Sequence, residues 1–276
     1  MRLSIVTEKK GWILHRKAEE IAKKIPGTNI NMGTGSAQIV YFVNYAYFSP
    51  QKQGVITVAN FTHFNPNFLA EKFRDVAIRV DHCVAVSKET AKVLYAMGVP
   101  REKVSVIIVG ADKSYSPKMT LGIVGRLYRG GRKGEHLVQR LLADAEITSE
   151  VQIVSANPGW GVPVWTLPSR ADFYRSIDYL LVPSLIEGGP VPFMEALASG
   201  TLSIAPPLGV IPEFSHIEYE TGSYESLKRV ILEEKEKVLG KKRLLHSEIC
   251  GHNWDSWADQ HINLFEKLLR ERGFEL

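Results

Sequence analysis

Leu181-Val-Pro-Ser-Leu-Ile-Glu-Gly-Gly-Pro-Val-Pro-Phe-Met-Glu-Ala-Leu-Ala-Ser-Gly200 reads as an apolar strand ending at Val182, a Gly/Pro-rich turn and a short helix closed by Gly200. Pro192 suits the first helical position, where a missing N–H is harmless, and Gly200 suits the position just past the end. A strand, a glycine loop and a helix in this order aim unpaired amides and the positive end of a helix dipole at one point, which favours an anion such as a phosphate. Pro190 and Pro192 donate nothing, so the cradle is expected from the amides of Gly189, Val191, Phe193 and Met194. Glu187 and Glu195 bracket the turn with seven residues between them, which points to an anion that also carries hydroxyls.

Working outward, the 276 residues are 45% hydrophobic and 23% charged, enough for one large or two medium globular domains. The formal charge of +4 comes with no long basic run, so nucleic acid is not the default partner. Cys83 and Cys250 are the only cysteines, and no Cys/His cluster has metal-ligand spacing. No apolar run approaches the roughly 18 residues of a membrane span. Charged residues follow Met1 too soon for a signal peptide, and a cytoplasmic protein is expected.

Continuous apolar strands are expected at 3–7, 38–43, 54–58, 82–86 and 104–109, with helices at 12–25, 67–78 and 87–97. A second series starts at Leu121, with strands at 151–155, 163–166, 179–182 and 202–205. Its helices are expected at 134–144, 170–177, 192–199 and 224–250, the last broken near Gly240, before a closing helix from Trp254. Doubly apolar strands alternating with helices imply an α/β protein with parallel sheets covered on both faces. The turn formers of Val109 to Pro117 mark a boundary between residues 1–112, with 254–276, and residues 113–253. Two such halves in tandem place a ligand cleft at the carboxyl ends of their strands.

A second loop, Gly125-Arg-Leu-Tyr-Arg-Gly-Gly-Arg-Lys-Gly134, follows one strand and precedes a helix. Its cations Arg126, Arg129, Arg132 and Lys133, separated by glycines, suit phosphate oxygens. A Walker loop is excluded, because Gly134 follows Lys133 where Ser or Thr is required.

Together these stretches resemble the donor site of the GT-B fold retaining glycosyltransferases of family 4. Gly125-Arg126 with Lys133-Gly134 matches the family's first basic loop, and Glu187, Glu195 and Ala196-Leu-Ala-Ser-Gly200 match its second signature. The segment from Trp165 to Leu180, the run from Val86 to Asp112 and Asn253-Trp254 also resemble the family, whereas residues 1–80 do so weakly. The resemblance implies a GT-B architecture: two Rossmann-like domains facing a central cleft, an unusually short first domain, and a last helix that crosses back to it. It also implies that Arg126 and Lys133 bind the donor diphosphate, with Gly125 in the same loop. Glu195 would take the ribose hydroxyls and Glu187 those of the transferred sugar. The amides at Gly188, Gly189 and Val191 would meet the sugar and distal phosphate, and the backbone near Leu167 the base. His63 is the candidate for the histidine beside the transferred sugar, and Gly11 for the glycine loop bordering the acceptor. Trp12, Tyr45, Tyr47 and Phe48 could line an acceptor cleft.

The expected activity is transfer of a sugar, a hexose by the resemblance, from a UDP- or GDP-sugar to a glycan, lipid, small molecule or modified nucleic acid. No cofactor and no metal are expected. Asp-x-Asp is absent, and the nearest approach, Asp144-Ala-Glu146, falls at a helix end. The competing readings are a nucleotide-sugar binding module without catalysis, an epimerase or phosphorylase of the same fold, and a nucleic-acid-modifying glycosyltransferase.

Overall fold

The computed structural model describes residues 1–128 and 130–275. The chain divides into two compact units, Met1–Tyr115 with Ile249–Leu276, and Ser116–Glu248.

The first unit begins β1 (Leu3–Val6), α1 (Ile13–Ala22), β2 (Asn29–Ile30), β3 (Ile39–Phe42) and β4 (Ile56–Phe61). It continues with α2 (Ala70–Arg79), β5 (His82–Ala85), α3 (Lys88–Ala96) and β6 (Val104–Val106). The strands form one parallel sheet in the order β2-β1-β3-β4-β5-β6. Every residue of β3, β4 and β5 is buried, because helices cover both faces. Phe73, Val76 and Ala77 of α2 and Ala91 and Leu94 of α3 pack on the face carrying Val40, Phe42, Ala59 and Phe61. Ser87 caps α3 by accepting from the Thr90 amide at 3.0 Å.

The second unit holds β7 (Met119–Ile123), α4 (Glu135–Ala143), α5 (Ala145–Thr148), β8 (Val151–Ser155) and α6 (Arg170–Arg175). β9 (Tyr179–Leu181), α7 (Val191–Ala198), β10 (Ser203–Ala205), β11 (Ile217–Glu218) and α8 (Tyr224–Ile249) follow, the last residue of α8 counting with the first unit. This sheet is also parallel, in the order β11-β10-β9-β7-β8. Leu181 faces the core under α4 and α8, while Leu180 and Val182 face that under α6 and α7, as the period of two requires.

Three expectations are corrected here. Residues 163–166 form no strand; Val164 makes only an isolated bridge to Ser155, and Pro163 and Pro168 keep the segment from extending a ladder. Helix α8 is not broken at Gly240. Lys235 pairs with Glu150 at 3.0 Å on one side of the glycine, and beyond it Arg243 holds Glu150 at 2.7 Å and Lys242 holds Asp178 at 3.0 Å. The helix is thus pinned to the unit on both sides of Gly240. Helix α1 also stops at Ala22, short of the expected Ile25.

The closing helix α9 (Trp254–Glu271) belongs to the first unit. Asn253 caps it in a reciprocal box with Ser256. Trp254, Trp257, Ala258, Phe265 and Leu269 complete the core against β1, β3 and α1. Gly110 lets the two backbones meet, since a Cβ there would lie 2.2 Å from the Asn253 carbonyl carbon. Buried His261 donates from Nδ1 to the Trp257 carbonyl, so its Nε2 accepts from the Tyr41 hydroxyl at 3.1 Å. No helix among the described residues is long and apolar enough to cross a membrane.

Two predictions follow from this packing. Gly240 is exposed and a Cβ there meets nothing within 4 Å. Gly240→Ala should therefore raise unfolding free energy by about 0.5–1 kcal/mol. An unchanged or lowered urea midpoint would contradict the continuous helix. Burial, the leading cause, lowers the His82 pKa to about 4 and that of His261 to about 3. The unfolded chain then binds more protons below about pH 6.5, so stability should fall as pH drops from there toward 3. Urea titrations across that range would show it, and a flat midpoint between pH 6.5 and pH 5 would show that neither imidazole is held neutral.

Candidate functional site

In the second sheet the strand order reverses between β7 and β9, since β7 leads to β8 on one side and β9 lies on the other. The loops leaving the carboxyl ends at such a point diverge from the sheet and leave room for a ligand. Those two loops, 124–134 and 182–190, carry both of the motifs singled out in the sequence.

Their union depends on one glycine. Gly134 has φ +72°, and a Cβ there would lie 1.8 Å from the Pro183 carbonyl oxygen, so only glycine permits this approach. The Leu185 amide donates to the Arg132 carbonyl at 2.8 Å and ties the loops again. Lys133 is thereby set against Glu187: its Nζ donates to Glu187 Oε1, which also accepts from Ser184 Oγ at 2.7 Å. The two side chains are 18% and 8% exposed, so water screens the pair little. A third loop, after β10, braces the second from behind. Gly209, at φ +54°, would place a Cβ 2.0 Å from the Gly188 carbonyl oxygen, and the Val210 amide donates to that oxygen at 2.8 Å.

Two of the four amides expected in the cradle are engaged within the chain. The amides of Phe193 and Met194 turn inward to the Pro190 carbonyl at 3.0 and 3.4 Å, because the first turn of α7 begins there. Those of Gly188, Gly189 and Val191 form no hydrogen bond with described residues. Exposed Arg126 likewise has no hydrogen-bond or ion-pair partner among them, which leaves its five donors available. Arg132 is engaged differently, its guanidinium lying 4.4 Å from the centre of the Tyr128 ring. Arg129, the fourth cation of the loop, lies outside the described residues.

Gly125 is fixed at both ends of its peptide. Its amide donates to Asn157 Oδ1 at 3.1 Å, and its carbonyl accepts from the buried Trp160 indole at 3.0 Å. Arg170 donates to the same Asn157 oxygen at 3.3 Å. Leu167 lines a cavity of about 300 Å³ with Ala156, Trp165, Arg170 and Phe173, and its N–H and C=O are free of other described residues. Glu195, on α7, accepts from the Tyr174 hydroxyl at 2.7 Å. The loop after β7 therefore supplies cations, and that after β9 supplies amides and a carboxylate.

Gly11 and His63 are in the first unit, on separate loops. Gly11, at φ +101°, precedes α1, and the loops after β1 and β3 are joined where the Tyr47 hydroxyl donates to Glu8. His63 is exposed after β4, its Nδ1 3.2 Å from Thr62 Oγ1. Among the expected aromatics only Trp12 is widely exposed; Tyr45 stacks on Phe61 at 5.4 Å inside the core, and Phe48 packs edge-on to Phe42. Asp144, of the Asp-Ala-Glu stretch, is engaged by Lys228 and Tyr224, and Lys228 foremost lowers its pKa to about 2. Among the described residues no group of three or more His, Cys, Asp or Glu side chains is arranged to hold a metal ion.

The residues missed in the sequence are Ser184, Tyr174, Asn157, Trp160 and Gly209. The spacing of Ser184 three residues before Glu187 and the turn sequence Pro206-Pro-Leu-Gly209 were the available signals.

No family model matches the chain, and no curated protein matches it. Solved structures do. HepE of Anabaena, solved with UDP and glucose, is 14% identical, with 97% of this chain and 100% of that chain covered at a TM-score of 0.40. The lipopolysaccharide outer core galactosyltransferase WaaB has the same identity, coverage and TM-score. Sucrose-phosphate synthase of Thermosynechococcus elongatus is 17% identical over 85% of this chain and 74% of that one, at 0.35.

Replacing Gly134 with alanine should force the two loops apart and destabilise the second unit by roughly 2–4 kcal/mol. A wild-type denaturation curve for Gly134→Ala would show that the Pro183 contact is not a constraint.

Proposed function

We propose that the chain is a metal-independent, retaining glycosyltransferase of the GT-B type, moving a hexose from a UDP- or GDP-sugar to an acceptor hydroxyl in the cytoplasm. The observation that carries this reading is the union of the Lys133 and Glu187 loops at the strand-order reversal of the second sheet. A sugar nucleotide has three things to be recognised at one place: a diphosphate, a polyhydroxylated ring and a ribose. Lys133 gives one of its three donors to Glu187 and keeps two for phosphate oxygens, while Arg126 keeps all five. The free amides of Gly188, Gly189 and Val191 add neutral donors at the start of α7. Glu187 accepts from the sugar hydroxyls, Glu195 from the ribose, and the backbone at Leu167 meets the base.

In the reaction the bond from the sugar C1 to the diphosphate oxygen breaks as the acceptor oxygen bonds to C1 on the same face. The acceptor proton passes to the departing phosphate oxygen, and the anomeric configuration is kept. Charge grows on the diphosphate as it leaves, where Lys133 and Arg126 are already in place and need no reorganisation. In the first unit, Gly11 is assigned to the loop bordering the acceptor and His63 to the transferred sugar.

Lys133→Ala should lower kcat by ~10²-fold or more and leave nucleotide binding the smaller effect. Glu195→Ala should do the reverse. Turnover of a cognate donor in EDTA should equal that in Mg²⁺ or Mn²⁺. Wild-type kcat in the Lys133 variant would remove that residue from the mechanism. Donor binding with neither transfer nor hydrolysis would make the protein a binding module.

A further inference from the structure

Glu195 sits on the exposed side of α7, and a glutamate there is ordinarily free to rotate about three side-chain bonds. In this protein it is held. Tyr174 is 1% exposed, so its ring cannot move without disturbing the core it shares with Phe173, Phe193 and Ala196. Its carbonyl accepts from Thr201 Oγ1 at 2.8 Å, just past the end of α7, while its hydroxyl donates to Glu195 Oε2. The residue is therefore tied to α7 through its side chain and to the turn just after α7 through its backbone.

We infer that Tyr174 is a positioning residue that orients the Glu195 carboxylate for a pair of vicinal ribose hydroxyls, by occupying Oε2 from the core and leaving Oε1 open on the solvent side. This inference rests on the donor reading of the site proposed above. A carboxylate has about four acceptor positions, and the phenol takes one, so enough remain for two hydroxyls. Burial and the adjacent carboxylate both raise the Tyr174 pKa, so the phenol stays protonated and always donates. Tyr174 lies in α6, which follows directly on the Leu167 cavity wall, so a single short helix connects the proposed base and ribose contacts. A glutamate fixed in advance loses less freedom on binding than one that must be ordered by its ligand.

The test is calorimetric binding of UDP and GDP and of their 2′,3′-dideoxy counterparts to the wild type, Tyr174→Phe and Glu195→Gln. The phenylalanine keeps the buried ring, and thermal midpoints report whether folding is kept. Tyr174→Phe should weaken binding of the ribonucleotide about fivefold and leave the dideoxy nucleotide unchanged; combined with Glu195→Gln it should add nothing further. Equal loss for both nucleotides would make Tyr174 a purely structural residue, and no loss for either would show that Glu195 needs no support; each overturns the inference. A wild type that does not distinguish ribo from dideoxy forms would overturn the role of Glu195 too. One that binds no nucleotide would overturn the donor reading itself.

Discussion

The carbonyl oxygen of Pro183 occupies the space that any side chain at position 134 would need. That exclusion brings two loops far apart in sequence within hydrogen-bond distance, and much of the second unit's chemistry depends on it. Lys133 meets Glu187 because the next residue along is bare backbone. The same device recurs at Gly209 against Gly188, so the glycine loop before α7 is gripped from two sides by chain that has no side chain to interpose. Where one loop must be flexible in sequence yet exact in position, steric exclusion supplies a rigidity that hydrogen bonds between exposed loops would not.

The polar contacts around this frame share a pattern. Asn157 accepts from Gly125 and Arg170, Trp160 donates to Gly125, Ser184 donates to Glu187 and Tyr174 to Glu195. In the contacts of Asn157 and Trp160 with Gly125 and of Tyr174 with Glu195, a group outside the two motifs fixes a group inside them. The residues with the most evident chemistry are thus mostly not self-positioned. Arg126 lacks such a partner among the described residues, so its guanidinium is left to meet a ligand.

The parallel α/β architecture was legible in the sequence because its signals are local. Runs such as Gln38 to Val43 and Val151 to Ser155 are apolar on both faces, and glycine or proline punctuates nearly every loop. The pairing of Lys133 with Glu187 was not legible, since it requires knowing that β7 neighbours β9. Local reading also misled in identifiable ways. Pro163 to Thr166 looks apolar and extended, yet Pro163 and the nearby Pro168 deny it a ladder. Gly240 looks like a helix stop, but ion pairs to Glu150 and Asp178, remote in sequence, hold the helix on either side. The inward turn of the Phe193 and Met194 amides depends on where α7 begins, and boundaries are what patterning locates least well.

The return of α9 to the first unit has a consequence for the order in which the protein comes into being. The core beneath β1 and β3 is closed by Trp254, Trp257, Phe265 and Leu269, which are made after the whole of the second unit. The second unit is uninterrupted in sequence, so during synthesis its core is complete while the first still exposes an unfilled apolar face. The strands of the first unit are therefore made before the second unit, yet their core closes only after it.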